Sequence, residues 1–161
     1  MKAPHVFAAL LAVSSVVAQA AQPTFRDRYN DAAKELVPQL QTTGCETKQA
    51  AGGKAVTECK LQADNALLSL DSVNNKLAGV WLLVDSTKLA NGGDVARAGG
   101  LLLRTARGTA QGNHLAVATD VLDASRKQGW KEACKDDAAS ASRLCVSANA
   151  RGVFHITLNP L

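Results

Sequence analysis

The chain has 161 residues, of which 47% are hydrophobic but only 4% aromatic, and its formal net charge is +4. So slight a positive balance, with basic residues not interleaved with aromatics, argues against a nucleic-acid binder. It suits an acidic partner, an anionic envelope or plain solubility, and no segment beyond the N-terminus carries the ~20 apolar residues of a bilayer span.

The N-terminus reads as an export signal. Met1-Lys2 is a short positive start, Val6 to Val17 is a run of apolar and small residues, and Ala18-Gln19-Ala20 offers the small residues a signal peptidase reads. Cleavage after Ala20 is expected, which makes residues 1–20 the signal and 21–161 one small domain of the periplasm or the exterior. The apolar run is too short for an anchor, and no cysteine stands at the cleavage point to carry a lipid. Roughly 140 residues remain, the usual size of a single domain and enough to bury a core.

Phe25, Tyr29, Ala32 or Ala33 and Leu36 recur at helical steps, with Thr24 as cap, Asp27 completing a loose capping box and Pro38 limiting the run. Two segments of mixed polarity then flank Gly52-Gly53, a tight-turn signal. A hairpin turning about Gly52 sets Cys45 opposite Cys59, and facing Cβ atoms in an antiparallel pair are roughly 5 Å apart. Asn65–Leu70 and Leu77–Val84 follow, on either side of a turn at Asn74-Asn75. Val80 to Val84 is a continuous apolar run typical of a strand buried on both faces, although Leu77, Trp81 and Val84 also fit a helix. The preceding turn favours the strand.

Asp94, after Asn91-Gly92-Gly93, is a natural N-cap. Val95, Ala98, Leu102 and Thr105, with Leu101 and Ala106, then form the buried stripe of a helix ending at Gly108. Gly99-Gly100 inside it weakens the helix unless another element packs there, and is a place where it can kink. A second helix buries Leu115, Val117, Ala118, Val121 and Leu122 and ends at Gly129, after which Trp130 folds back onto the core. Lys135–Ser142 is polar and reads as an exposed loop closed at its base by Cys134 and Cys145. Leu144, Val146 and Ala148, then Phe154, Ile156 and Leu158, alternate with polar neighbours around the turn Asn149–Gly152, a hairpin pattern. The core is expected to rest on Val80, Leu82, Val84, Leu102, Leu122, Phe154 and Ile156.

An even count of four cysteines in an exported chain reads as two disulfides, for which three connectivities exist. The hairpin register and the polar loop favour the local pairs Cys45–Cys59 and Cys134–Cys145. No CxxC pair or histidine spacing points to zinc, and no cofactor motif is present, so neither a metal nor a cofactor is expected. Gly92-Gly93 lacks the further glycines and the lysine of a nucleotide loop and is better read as a helix cap.

Catalytic signals are weak. There is no GxSxG elbow, SxxK or HExxH. Oxidised cysteines are not nucleophiles, and His114, near a helix start, and His155, on an outward strand face, both read as surface residues. Asp64, Asp71, Asp85, Asp120 and Asp123 are scattered, and most chains of this size offer such pairs. These signals favour a non-enzyme and leave an enzyme as the open alternative. The remaining signal is basic. Arg97 and Arg104, seven residues apart, project from one helical face with Arg107 one turn on, and Arg126, Lys127 and Lys131 lie late in the second helix.

These observations predict an α+β fold, an antiparallel sheet built from hairpins with helices on one face, stabilised by disulfides. They favour a non-catalytic module that binds another protein with an acidic surface, such as an inhibitor or an immunity protein, with Arg97, Arg104 and Arg107 as its binding residues. The alternatives are a small envelope hydrolase with an unrecognised acid/base site and an assembly factor for a surface apparatus.

Overall fold

The fold was obtained as a computed structural model, which describes residues 42–61, 66–85, 92–108 and 112–161, together with Lys34 and Leu36, which are helical. The export signal and the residues proposed to cap and bound the first helix lie outside that range. Leu36 is buried in the core, as the helical spacing from Phe25 requires of its last apolar position.

Among the described residues, seven strands form one antiparallel sheet: β1 Thr42–Ala50, β2 Lys54–Leu61, β3 Ala66–Val73, β4 Lys76–Asp85, β5 Ala133–Asp137, β6 Ser142–Ala148 and β7 Val153–Pro160. Their spatial order is β1-β2-β3-β4-β7-β6-β5. Between β4 and β5 run α1, Gly92–Arg107, and α2, His114–Lys127, which pack on one face against β5, β6 and β7. This is the α+β architecture that the hairpin signals predict.

The turns account for the sheet. Asn74 and Asn75 both hold positive φ, 51° and 61°, the backbone of the two-residue hairpin turn whose twist matches its strands. The Asn74 N–H donates to the Gly53 carbonyl at 2.7 Å, tying this turn to the neighbouring one. In the β1–β2 hairpin Cys45 faces Cys59, and in the β5–β6 hairpin Cys134 faces Cys145; each pair is joined as a disulfide.

β3 alternates without interruption, with Leu68 and Leu70 inward and Ser69 and Asp71 outward. Leu77–Val84 is strand, but it is not buried on both faces: Trp81 is 46% exposed on the side away from the helices. The register shift between Asp71 and Ser72 leaves Ala78 as an extra residue in β4. That bulge turns both Leu77 and Val80 inward three residues apart, whereas Trp81, which completes the helix-like spacing of Leu77 and Val84, points outward. All seven expected core residues are buried.

Three other expectations are corrected. α1 begins at Gly92, so Asp94 sits inside the first turn, where it favours the helix dipole rather than capping the end. Lys135–Ser142 is not a loop, because Lys135 to Asp137 belong to β5 and only residues 138–141 turn. His114, expected at the surface, is buried.

The glycine pair of α1 is a seat for α2. A Cβ on Gly99 would lie 3.2 Å from the Ala118 Cβ, and one on Gly100 would lie 3.3 Å from the Leu115 Cα. Glycine lets the first turn of α2 approach the α1 backbone directly. At its other end α2 stops in a Schellman motif: Gly129, at φ 71°, donates to the Arg126 carbonyl, and Trp130 donates to the Ser125 carbonyl. Trp130 then meets Phe154 edge-on, centroids 5.2 Å apart, and so returns to the core.

Candidate functional site: a basic groove at the helix pair

α1 is almost sunk between its neighbours. Val95, Ala96, Gly99, Gly100, Leu102, Leu103, Thr105 and Ala106 are all buried, which leaves a narrow outward line through Arg97, Leu101 and Arg104. Steps of three and four residues keep that line on one side of the helix. Where α2 docks on Gly100, the line borders a groove of about 330 Å³ whose lining includes Arg97, Leu101, Arg104, Gly112, His114 and Leu115.

Arg97 donates to the Asp94 carboxylate at 2.9 Å but stays largely in solvent. Arg104 is exposed and forms no ion pair among the described residues. Leu115, expected to be buried, is 53% exposed and forms an apolar wall on the α2 side. His114 is only 7% exposed, and neither ring nitrogen has a hydrogen-bond partner among the described residues. Its ring edge faces Gly112, where an added Cβ would come within 3.3 Å of Nε2. Asn113, the N-cap of α2, makes no side-chain cap bond; its Oδ1 accepts from Arg107 Nη1 at 3.3 Å instead. The first turn of α2 therefore lacks the side-chain acceptor that usually satisfies its N–H groups.

Arg107 departs from the expected patch. Its guanidinium grips Asp137 with two nitrogens, Nε donating to Oδ2 at 2.8 Å and Nη2 to Oδ1, and both side chains are nearly buried. Ser140 adds its N–H and its hydroxyl to Asp137 Oδ2, and the Ser140 and Ser142 hydroxyls bond each other. Burial pushes the Asp137 carboxyl up, but Arg107 and Ser140 outweigh it and hold the group below the usual carboxylate range. The hydrogen bond to Asp137 likewise raises the Arg107 guanidinium. This cluster clamps the end of α1 to the β5–β6 turn and is largely shielded from solvent.

The other candidates are dispersed. Asp120 pairs with Lys135, Asp123 pairs with Arg126 late in α2, and Asp71 accepts from Ser69; Asp64 lies outside the described residues. His155 is half-buried on the outer sheet face, between Leu83 and Ser147. Glu132 lies near Cys134 and Cys145, whose sulfurs are already bonded to each other. Among the described residues no helix is long and apolar enough to cross a membrane. The chain matches no known family model, no curated protein and no solved structure.

Seven-residue spacing in the sequence is enough to pair Arg97 with Arg104. His114, Leu115 and the Asp137 cluster were missed, since each depends on a contact made far along the chain. The turn Asp137-Ala-Ala-Ser140 is the one local signal for the cluster, because Asp followed by Ser three positions on is a side-chain-bonded turn pattern.

Proposed function

We propose that the protein is an exported, non-catalytic binding module, of the inhibitor or immunity-protein kind, that docks an acidic surface of another protein onto the groove between α1 and α2. The observation that carries this reading is the pairing of two solvent-facing arginines with exposed Leu115 and half-buried Leu101 around one concavity. Arginine grips carboxylates bidentately, and apolar side chains beside it supply the desolvated centre an interface needs. Two disulfides support an oxidising compartment. Charge at such a face chiefly speeds encounter, so association should slow as salt rises.

The test places a photo-crosslinking amino acid at Leu115 of the full-length chain, expressed in a cell that exports it. The recovered protein should begin at Ala21 by mass spectrometry and carry a polypeptide adduct. Arg97→Ala with Arg104→Ala should reduce that adduct at least fivefold without lowering the melting temperature. An adduct indifferent to both arginines and to salt, or none at all, would sink the proposal.

A further inference from the structure

The groove has two chemically different ends, and together they specify more than an acidic surface. At one end stand Arg104, the first turn of α2 without a side-chain cap, and the unpartnered ring of His114 beside Gly112. Each favours an anion: the arginine by charge, the helix start by its N–H groups and dipole, and the imidazole by a nitrogen with no other partner in a buried setting. Gly112 lets the backbone come close to this corner, since a Cβ there would lie 2.7 Å from Arg107 Nη1 as well as against the His114 ring. Directly beside it, Leu101 and Leu115 line the groove with hydrocarbon.

We infer that this groove receives the free C-terminal carboxylate of a partner polypeptide whose last side chain is apolar. A C-terminal residue bears its carboxylate and its side chain on one Cα, so both reach adjoining subsites at once. An Asp or Glu side chain within a chain brings the anion without the apolar branch. Arg97, about two helical turns from Arg104 and thus on the order of 10 Å away, then faces the residues upstream and favours acidic ones. Capture of a terminal carboxylate by backbone N–H groups is an established recognition mode. The inference rests on the protein-binding reading above and names the part of the partner that is bound.

The experiment uses the mature chain with intact disulfides and an array of tetrapeptides randomised in sequence, each made as a free acid and as a C-terminal amide. The best free acids should end in an apolar residue, and their amides should bind at least tenfold more weakly in anisotropy titrations. Arg104→Ala and His114→Leu should each weaken the free acid while barely altering the amide. Acid and amide binding alike, with both weakened by Arg104→Ala, would overturn the carboxylate assignment and leave the protein-binding reading standing. Equal competition by hexanoate or inorganic phosphate would reduce the groove to a small-anion site and overturn it as well. No peptide binding, beside an arginine-dependent adduct at Leu115, would remove the carboxylate assignment alone. No peptide binding and no such adduct would remove both.

Discussion

His114 is the residue at which stability and recognition are most opposed. A buried polar atom without a partner costs about 1–3 kcal/mol relative to an apolar group of similar shape, and this ring has two such nitrogens. Replacing it by leucine should therefore raise stability by about 1 kcal/mol, read as a higher denaturant midpoint at unchanged slope. A lowered midpoint would mean that the imidazole supports the fold. Nothing local in the sequence marks this residue as buried. His114 follows a Gly/Asn-containing loop, and its burial comes from the seat that Gly100, on another helix, offers to the first turn of α2. Leu115 was misread for the complementary reason: it is apolar and in helical phase, yet it falls on the rim of that seat.

Among the elements, the hairpins were the most legible, because their turn residues and period-2 alternation are written within a few positions. β5 was the exception. Lys135-Asp136-Asp137 is as polar as a loop, and edge strands carry such charges because charge discourages pairing with another sheet. Its polarity also hides the clamp on α1, since the partner of Asp137 is Arg107, thirty residues earlier. Removing one side of a buried pair leaves the other charge uncompensated, at a cost of about 3–5 kcal/mol. Arg107→Ala should lose stability in that range, well beyond any loss from the exposed Arg104→Ala. The clamp also has a pH signature. The folded Asp137 carboxyl titrates below its unfolded value. Its contribution is therefore full above the ordinary carboxylate range and is lost as pH falls through the depressed folded value. Acid titrations should show wild type losing more stability below about pH 4 than the Asp137→Asn variant. Parallel curves would show that the carboxyl titrates alike in the folded and unfolded chain, so that the clamp does not hold it below the ordinary range.

Over the whole molecule, the cross-links sit at the margins of the sheet. One joins β1 to β2 and the other joins β5 to β6, and β1 and β5 are the two edge strands. The central strands β3, β4 and β7 instead hold Leu68, Leu70, Leu77, Leu82, Ile156 and Leu158, all buried. The bonds close segments with sequence separations of 14 and 11 residues, and loops of that order are worth about 3 kcal/mol each in the chain-entropy account. Reduction should accordingly loosen the edges first. Hydrogen exchange after thiol reduction should accelerate in β1 and β5 while β4 and β7 keep their protection. Uniform acceleration would mean that edges and centre open together. Both pairings were legible in outline, because hairpin register is a local property. The packing of the helix pair over only part of the sheet was not, since it depends on how separate hydrophobic faces meet.

The contrast between the two tryptophans also makes the native chain its own optical instrument. Trp130 lies against Phe154 at the seam between α2 and the sheet, whereas Trp81 stands in solvent on the opposite face. A soluble quencher therefore dims mainly one emitter and leaves the other to report on the interior. A molecule landing on that outer face of the sheet would shield Trp81 with little change at Trp130, and separation of the helices from the strands would do the reverse. Neither signal requires a dye or a label.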